Sequence, residues 1–165
     1  MESLLANSFS TFHITNASVT NLQHSDLPFE YRFSFVAQNY AKNTGGILVV
    51  RLRTLGTKTS ALLEKKEPRR FAVEFDGPAK DSDTFDITLP AGYEVEDLPP
   101  PVDADFSFAS YHSKSEVMGN LIRYTRTFEV KELSVPSNRA EELKKFYRLI
   151  ASDERNSAVL KTVSH

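Results

Sequence analysis

Phe71-Ala72-Val73-Glu74-Phe75, then Phe85-Asp86-Ile87-Thr88-Leu89-Pro90-Ala91-Gly92-Tyr93-Glu94-Val95, then Gly119-Asn120-Leu121-Ile122-Arg123-Tyr124-Thr125-Arg126-Thr127-Phe128: these runs decide the fold. In each, apolar and polar residues alternate with a period of two, and Gly, Pro, Asn or Asp bounds the run. A strand turns successive side chains to opposite faces, so this alternation predicts half-buried antiparallel strands joined by turns. Gly119-Asn120 between two such runs predicts a β-hairpin, because both residues accept the positive φ of a tight turn. Its first arm starts at Phe106 and Phe108 and reaches about Val117. In its second arm Ile122, Tyr124, Arg126, Phe128 and Val130 share one face. Residues 68–130 form the core strands, with Phe71/Val73/Phe75 and Phe85/Ile87/Leu89 as inward rows. Gly77-Pro78 breaks the chain, and Asp81-Ser82-Asp83 reads as a loop. Pro99-Pro100-Pro101 lacks ladder donors and is a stiff connection at a sheet edge.

Upstream, residues 1–60 supply the N-terminal strands. Residues 8–22 read as a strand that bends or bulges near Thr15-Asn16, where the alternation breaks. Phe29, Tyr31, Phe33 and Phe35 alternate with Glu30, Arg32 and Ser34, which predicts a further inward aromatic row. Asn43-Thr44-Gly45-Gly46 is a turn signal, and Ile47–Leu52 reads as a central strand. Gly56–Glu67 is a loop in which Ala61-Leu62-Leu63 make a short contact. Downstream the period changes. Leu143, Phe146, Tyr147 and Ile150 lie at helical spacing, predicting a helix within 137–152 with Ser137 as its N-cap. Residues 158–163 are a terminal strand or a packed tail. The fold class is mainly β: an antiparallel β-sandwich of about eight strands with one C-terminal α-helix, in a single domain over 1–165. A partly open barrel is the alternative.

Composition narrows the chemistry. With 40% hydrophobic and 25% charged residues among 165, the chain has the make-up of a folded globular domain. It contains no cysteine, which removes disulfides, zinc–thiolate sites and a thiol nucleophile. Met1–Asn7 carry neither a basic region nor a long apolar one, so no signal peptide is expected. No apolar run reaches the ~20 residues of a membrane span. Net charge is −2, but Glu74–Asp105 carries ten acids against Lys80 alone. A run of that kind is a solvated face or a set of turns in most proteins.

No residue is assigned a catalytic, cofactor-binding or metal-binding role, and no cofactor is expected. His13, His24 and His112 show no ligand spacing. His112 is singled out for inspection because Ser110, Tyr111 and Ser113 share its strand. Asp81–Asp86 superficially follows a calcium loop, yet lacks the glycine and the bidentate glutamate that such a loop requires. Lys65-Lys66-Glu67-Pro68-Arg69-Arg70 is basic, and Arg51, Arg53, Arg123 and Arg126 add cations on strands. The acids offset these charges, so nucleic acid is not expected as a partner. Phosphate-cradling and nucleophile-elbow motifs are absent from the sequence.

Pro68-Arg69-Arg70 leading into a strand, Leu89-Pro90-Ala91-Gly92-Tyr93-Glu94-Val95 followed by Leu98-Pro99, and Gly119-Asn120 leading into Tyr124-Thr125-Arg126 occur here in order. With the helix bearing Leu143, Phe146 and Ile150 and the closing Ala158-Val159-Leu160, they resemble an uncharacterised C-terminal domain family of bacterial transglutaminase-like proteins. The resemblance spans most of the chain and is weakest before about residue 27. It implies a non-catalytic accessory or interaction domain whose partner is a transglutaminase-like or peptidase core of the same protein. That core carries a Cys-His-Asp triad, none of which can be placed on this cysteine-free chain. The resemblance also implies an extracytoplasmic location. A stand-alone binding module for a glycan, peptide or metal ion is the alternative. The sequence sets no oligomeric state.

Overall fold

The computed structural model describes residues 2–58 and 70–163. The expected loop contact at 61–63 and the basic residues 65–69 lie outside them. The chain folds as two compact units, Met1–Tyr40 and Ala41–His165.

The first unit contains the short helix α1 (Glu2–Ala6) and a hairpin of β1 (Phe12–Thr20) and β2 (Glu30–Ala37). The bulge expected near Thr15-Asn16 is present as a register shift between Ile14 and Asn16. Partners across the ladder place Ile14, Ala17, Val19, Tyr31, Phe33 and Phe35 on one face. Phe9 is buried, and its ring lies 5.0 Å from Phe35 and 5.4 Å from Tyr40. The far end of this face stays open: Tyr31 is 36% exposed, and Phe29, which precedes β2, is 62% exposed. The inward row expected at Phe29/Tyr31/Phe33/Phe35 is therefore corrected at Phe29 and Tyr31, while Phe33 and Phe35 are half-buried; among the described residues β2 has a single neighbouring strand.

The second unit is antiparallel throughout, as its turn-rich alternation dictates. One four-stranded sheet has the order β6 (Ala79–Thr88), β10 (Leu121–Val130), β9 (Ala109–Met118), β8 (Val102–Asp105). The other has the order β3 (Lys42–Thr44), β4 (Ile47–Arg51), β12 (Ser157–Thr162), β7 (Tyr93–Asp97). The pair β5 (Val73–Glu74) and β11 (Ser134–Val135) forms a small ribbon. The mainly antiparallel β class is as expected and no barrel forms, but the described residues hold twelve strands rather than about eight. Two of the added strands, β3 and β11, are only three and two residues long and carry too little alternation to read, while β5 keeps two residues of the run expected from Phe71 to Phe75. The terminal stretch is a strand, β12, and it lies inside its sheet.

The Gly119-Asn120 turn forms as predicted, with Gly119 at φ 65°, and β10 alternates strictly between buried and half-buried residues. Helix α2 (Ala140–Asp153) follows a 3-10 turn at Ser137–Arg139, so Arg139, without a side-chain cap bond, stands at its N-cap in place of the expected Ser137. The helix lays Leu143, Phe146 and Ile150, all fully buried, into one cluster with Ala104, Phe108, Tyr111, Phe128 and Val130 from β8, β9, β10 and the β8–β9 turn. Phe146 is its centre, with ring distances of 5.6 Å to Phe106 and 5.8 Å to Phe108, both edge-on. Phe71, placed inward by its alternation with Val73 and Phe75, is instead 82% exposed, while Val73 and Phe75 pack on the cluster.

Candidate functional site

The densest polar chemistry lies on the buried face of the β6-β10-β9-β8 sheet. Ladder partners stand on the same face of a sheet, so Arg126 is flanked by Asp83 on β6 and Ser113 on β9. Arg126 shares the row of Ile122, Tyr124, Phe128 and Val130, as the sequence predicts, and is 2% exposed. An isolated buried guanidinium would cost several kcal/mol, so its partners decide whether it is tolerated. It donates from Nε to Asp83 Oδ2 at 2.9 Å and from Nη1 to Glu154 Oε1 at 2.9 Å. Burial pulls the Arg126 pKa down. The hydrogen bond and charge of Asp83, with Tyr111 and Glu154 adding to them, outweigh burial and leave the pKa raised.

Glu154 sits just past the end of α2 and ties this face to the loop leaving β4. It accepts from Thr57 Oγ1 at 2.8 Å and from the Lys58 backbone N–H at 2.7 Å. Lys58 reaches on to Asp81 at 2.7 Å. The carbonyl of Gly56 accepts from Arg53 at 2.5 Å and more weakly from Arg126 at 3.4 Å. Gly56 has φ +67°, a left-handed conformation that presents this carbonyl to both guanidinium groups and favours glycine. Beside this hub, the hydroxyls of Tyr111 and Tyr124 both donate to Oδ2 of Asp153, at 2.6 and 2.7 Å. Burial, reinforced by the bond to Asp153, raises the Tyr111 pKa far above its ordinary value. Burial likewise pushes Tyr124 up to about 12. Neither phenol supplies a tyrosinate near neutrality, so neither is an activated nucleophile.

The opposite face of the sheet carries His112. Its Nδ1 lies 2.7 Å from Asp103 Oδ1, and both side chains are largely exposed. Ser110 shares that face, and Thr127 is the cross-strand neighbour of His112. A hydroxyl, an imidazole and a carboxylate are thus close together, but acyl transfer also needs free donors aimed at an oxyanion. Here β9 lies between β8 and β10, so the N–H groups around His112 are engaged in two ladders. The dyad is a solvent-exposed contact on the sheet surface.

Acids read as a solvated loop prove to be strand residues. Asp81, Asp83 and Asp86 all lie in β6, which corrects the loop at 81–83. Lys58, Arg126 and Arg123 neutralise them, the last through two bonds of 2.7 Å to Asp86. Further along, Asp103 pairs with His112, Asp105 with Lys131, and Glu94 and Glu96 with Lys161. Six of the ten acids of residues 74–105 thus pair with Lys or Arg from elsewhere in the chain. Among the described residues no group of three or more His, Asp or Glu is placed to hold a metal ion. His13 lies in β1 and His24 in the turn after it. No described helix is long and apolar enough to cross a membrane.

Sequence reasoning missed Asp153 and Glu154. The available signal was their position: two acids at the C-terminal end of a helix oppose the macrodipole and call for partners outside it. The second signal was Arg126, a cation on an otherwise apolar row.

The family described as "Domain of Unknown Function with solved-structure structure (DUF3858)" matches residues 48–160. No curated protein is recognisably similar to the chain. Among solved structures, the fold is similar to the crystal structure of a "putative protease" from Parabacteroides distasonis ATCC 8503, with a TM-score of 0.56 at 12% identity. The similarity covers 71% of this chain and 24% of that one, so it extends over about a quarter of the longer protein.

Proposed function

The chain belongs to the DUF3858 family, and we propose that it is a non-catalytic accessory domain that works beside a transglutaminase-like or peptidase core of the same protein. The observation that carries this reading is how the hub is used. Arg126, Asp83, Glu154, Asp153 and the two tyrosines are each held by another part of the fold, and their geometry secures elements rather than presenting reactive atoms. The cysteine that a papain-like core needs is missing from the sequence. The similarity to about a quarter of a longer protease-like chain supports the reading, since there too this fold accompanies additional chain.

The test is a turnover assay on the purified chain with amine donors, glutamine-containing peptides and a general peptidase substrate, alongside His112→Ala. We expect no turnover from either protein. Turnover that disappears with His112→Ala would overturn the accessory reading and make the exposed dyad catalytic.

A further inference from the structure

Sheet edges in the second unit are guarded. β6 carries Lys80, Asp81, Asp83 and Asp86, and β7 carries Glu94, Glu96 and Asp97. β8 follows Pro99-Pro100-Pro101 and bears Asp103 and Asp105, while β3 is three residues long. Charge, proline and shortness are the devices that keep an edge from pairing with another chain. In the first unit β1 is bent by its bulge, while β2 carries charge only at its first end, at Glu30 and Arg32. It runs for eight residues without a bulge or proline, and its charges, Glu30 and Arg32, form their own pair. Its outer edge pairs with no strand among the described residues.

The direction of its backbone groups follows from the ladder. Gln38 N–H bonds Thr11 C=O, and hydrogen-bonded pairs alternate along an antiparallel ladder. Through the register on both sides of the bulge, Arg32, Ser34 and Val36 face β1. Tyr31, Phe33, Phe35 and Ala37 therefore direct their N–H and C=O groups to the open edge.

We propose that this edge pairs with the β2 edge of a second copy, antiparallel, about a twofold axis at Ser34. This register opposes Tyr31 to Ala37 and Phe33 to Phe35 of the other copy, so all four outward residues are matched. Residues opposed across an antiparallel ladder share a face, and the two aromatic rows become one surface across a four-stranded sheet. Arg32 then stands opposite Val36 and Glu30 opposite Gln38, so no like charges meet; a parallel in-register pairing would stack Glu30 on Glu30. A two-stranded hairpin is marginal alone and gains from added strands over an apolar face. Closed twofold pairing of this kind ends at a dimer.

Because the chain has no cysteine, Ser34→Cys gives a clean test. Ser34 falls in a non-hydrogen-bonded pair on the axis, where Cα atoms lie about 4.5 Å apart, within disulfide range. Ser18→Cys, exposed on the same side of β1, is the control. Under mild oxidation the Ser34 variant should dimerise covalently at least ~10-fold faster than the control, since pairing raises the effective thiol concentration. Sedimentation of the natural chain up to about 0.5 mM should show a reversible dimer. Ala37→Pro removes an outward donor that the hairpin does not use, twice per dimer, and should raise the dimer Kd about tenfold or more. A monomer at that concentration, with equal crosslinking rates at residues 34 and 18, would overturn the proposal.

Discussion

β2 and β10 are written almost alike and end in different environments. β2 alternates Tyr31, Phe33 and Phe35 with Arg32 and Ser34; β10 alternates Ile122, Tyr124 and Phe128 with Arg123 and Thr127. Yet Ile122 is fully buried while Tyr31 keeps 36% of its surface exposed. The difference lies in neighbours. β10 has β6 on one side and β9 on the other, and α2 packs on its Phe128 end. Among the described residues β2 has β1 as its one strand neighbour, with Phe9 over its Phe35 end. Alternation states which face of a strand is apolar; the number of elements that come to cover that face is set by distant parts of the chain.

The strongest way to break this contrast is truncation on each side of it. Phe146→Ala removes the ring at the centre of the cluster and should cost ~3–5 kcal/mol in urea unfolding, whereas Phe29→Ala should cost less than ~0.5 kcal/mol. Similar losses at the two sites would place the hairpin row in a core after all.

The charged part of the β10 row sharpens the comparison. Arg126→Ala leaves Asp83 and Glu154 facing each other without their cation, and should cost about 3–5 kcal/mol. The triple variant Arg126→Met, Asp83→Asn, Glu154→Gln removes the charges together and should be less destabilised than Arg126→Ala. If the triple variant is the worse of the two, the ion pairs themselves contribute the stability.

Alkaline titration addresses the neighbouring tyrosines. Their pKa values are raised above the ordinary value near 10, Tyr124 to about 12 and Tyr111 beyond it. For an acid kept neutral by the fold, the unfolded state releases its proton first. The contribution to stability is therefore intact below pH ~10 and is lost as pH rises from there through the folded values. Unfolding midpoints should fall over that range. In Tyr111→Phe/Tyr124→Phe the fall should be shallower, and an unchanged slope would mean that these phenols are not the titrating groups.

The smallest effect concerns Ser113, whose buried Oγ has no hydrogen-bond partner among the described residues. Ser113→Ala should leave stability within ~1 kcal/mol and shift it upward, because a buried hydroxyl without a partner opposes folding. A loss above that would show that Oγ is bonded in solution.

Much of the second unit is legible in the sequence. The 106–130 hairpin, its Gly119-Asn120 turn, the shared face of Ile122 to Val130 and the helical stripe at Leu143, Phe146 and Ile150 all follow from local periodicity. What escapes reading depends on pairing across distance. Asp81 and Asp83 read as a loop because acids disfavour strands, but Lys58 and Arg126 neutralise them inside β6. Phe71 fits an alternating row, yet the β5 ladder begins only at Val73. The hub was half visible: Arg126 lies on a predicted inward face, while Glu154 comes from a helix end 28 residues later.

Residue-level hydrogen exchange in dilute solution tests the claim about neighbours most directly. Amides of β10 bonded to β6 and β9 should exchange only through global unfolding, with opening free energies equal to the stability from urea. In β2 the amides of Arg32, Ser34 and Val36, bonded to β1 alone, should exchange through a lower-energy opening of the hairpin. Equal protection in the two strands would contradict the account, because it would mean that β2 is held as firmly by one neighbour as β10 is by two strands and a helix.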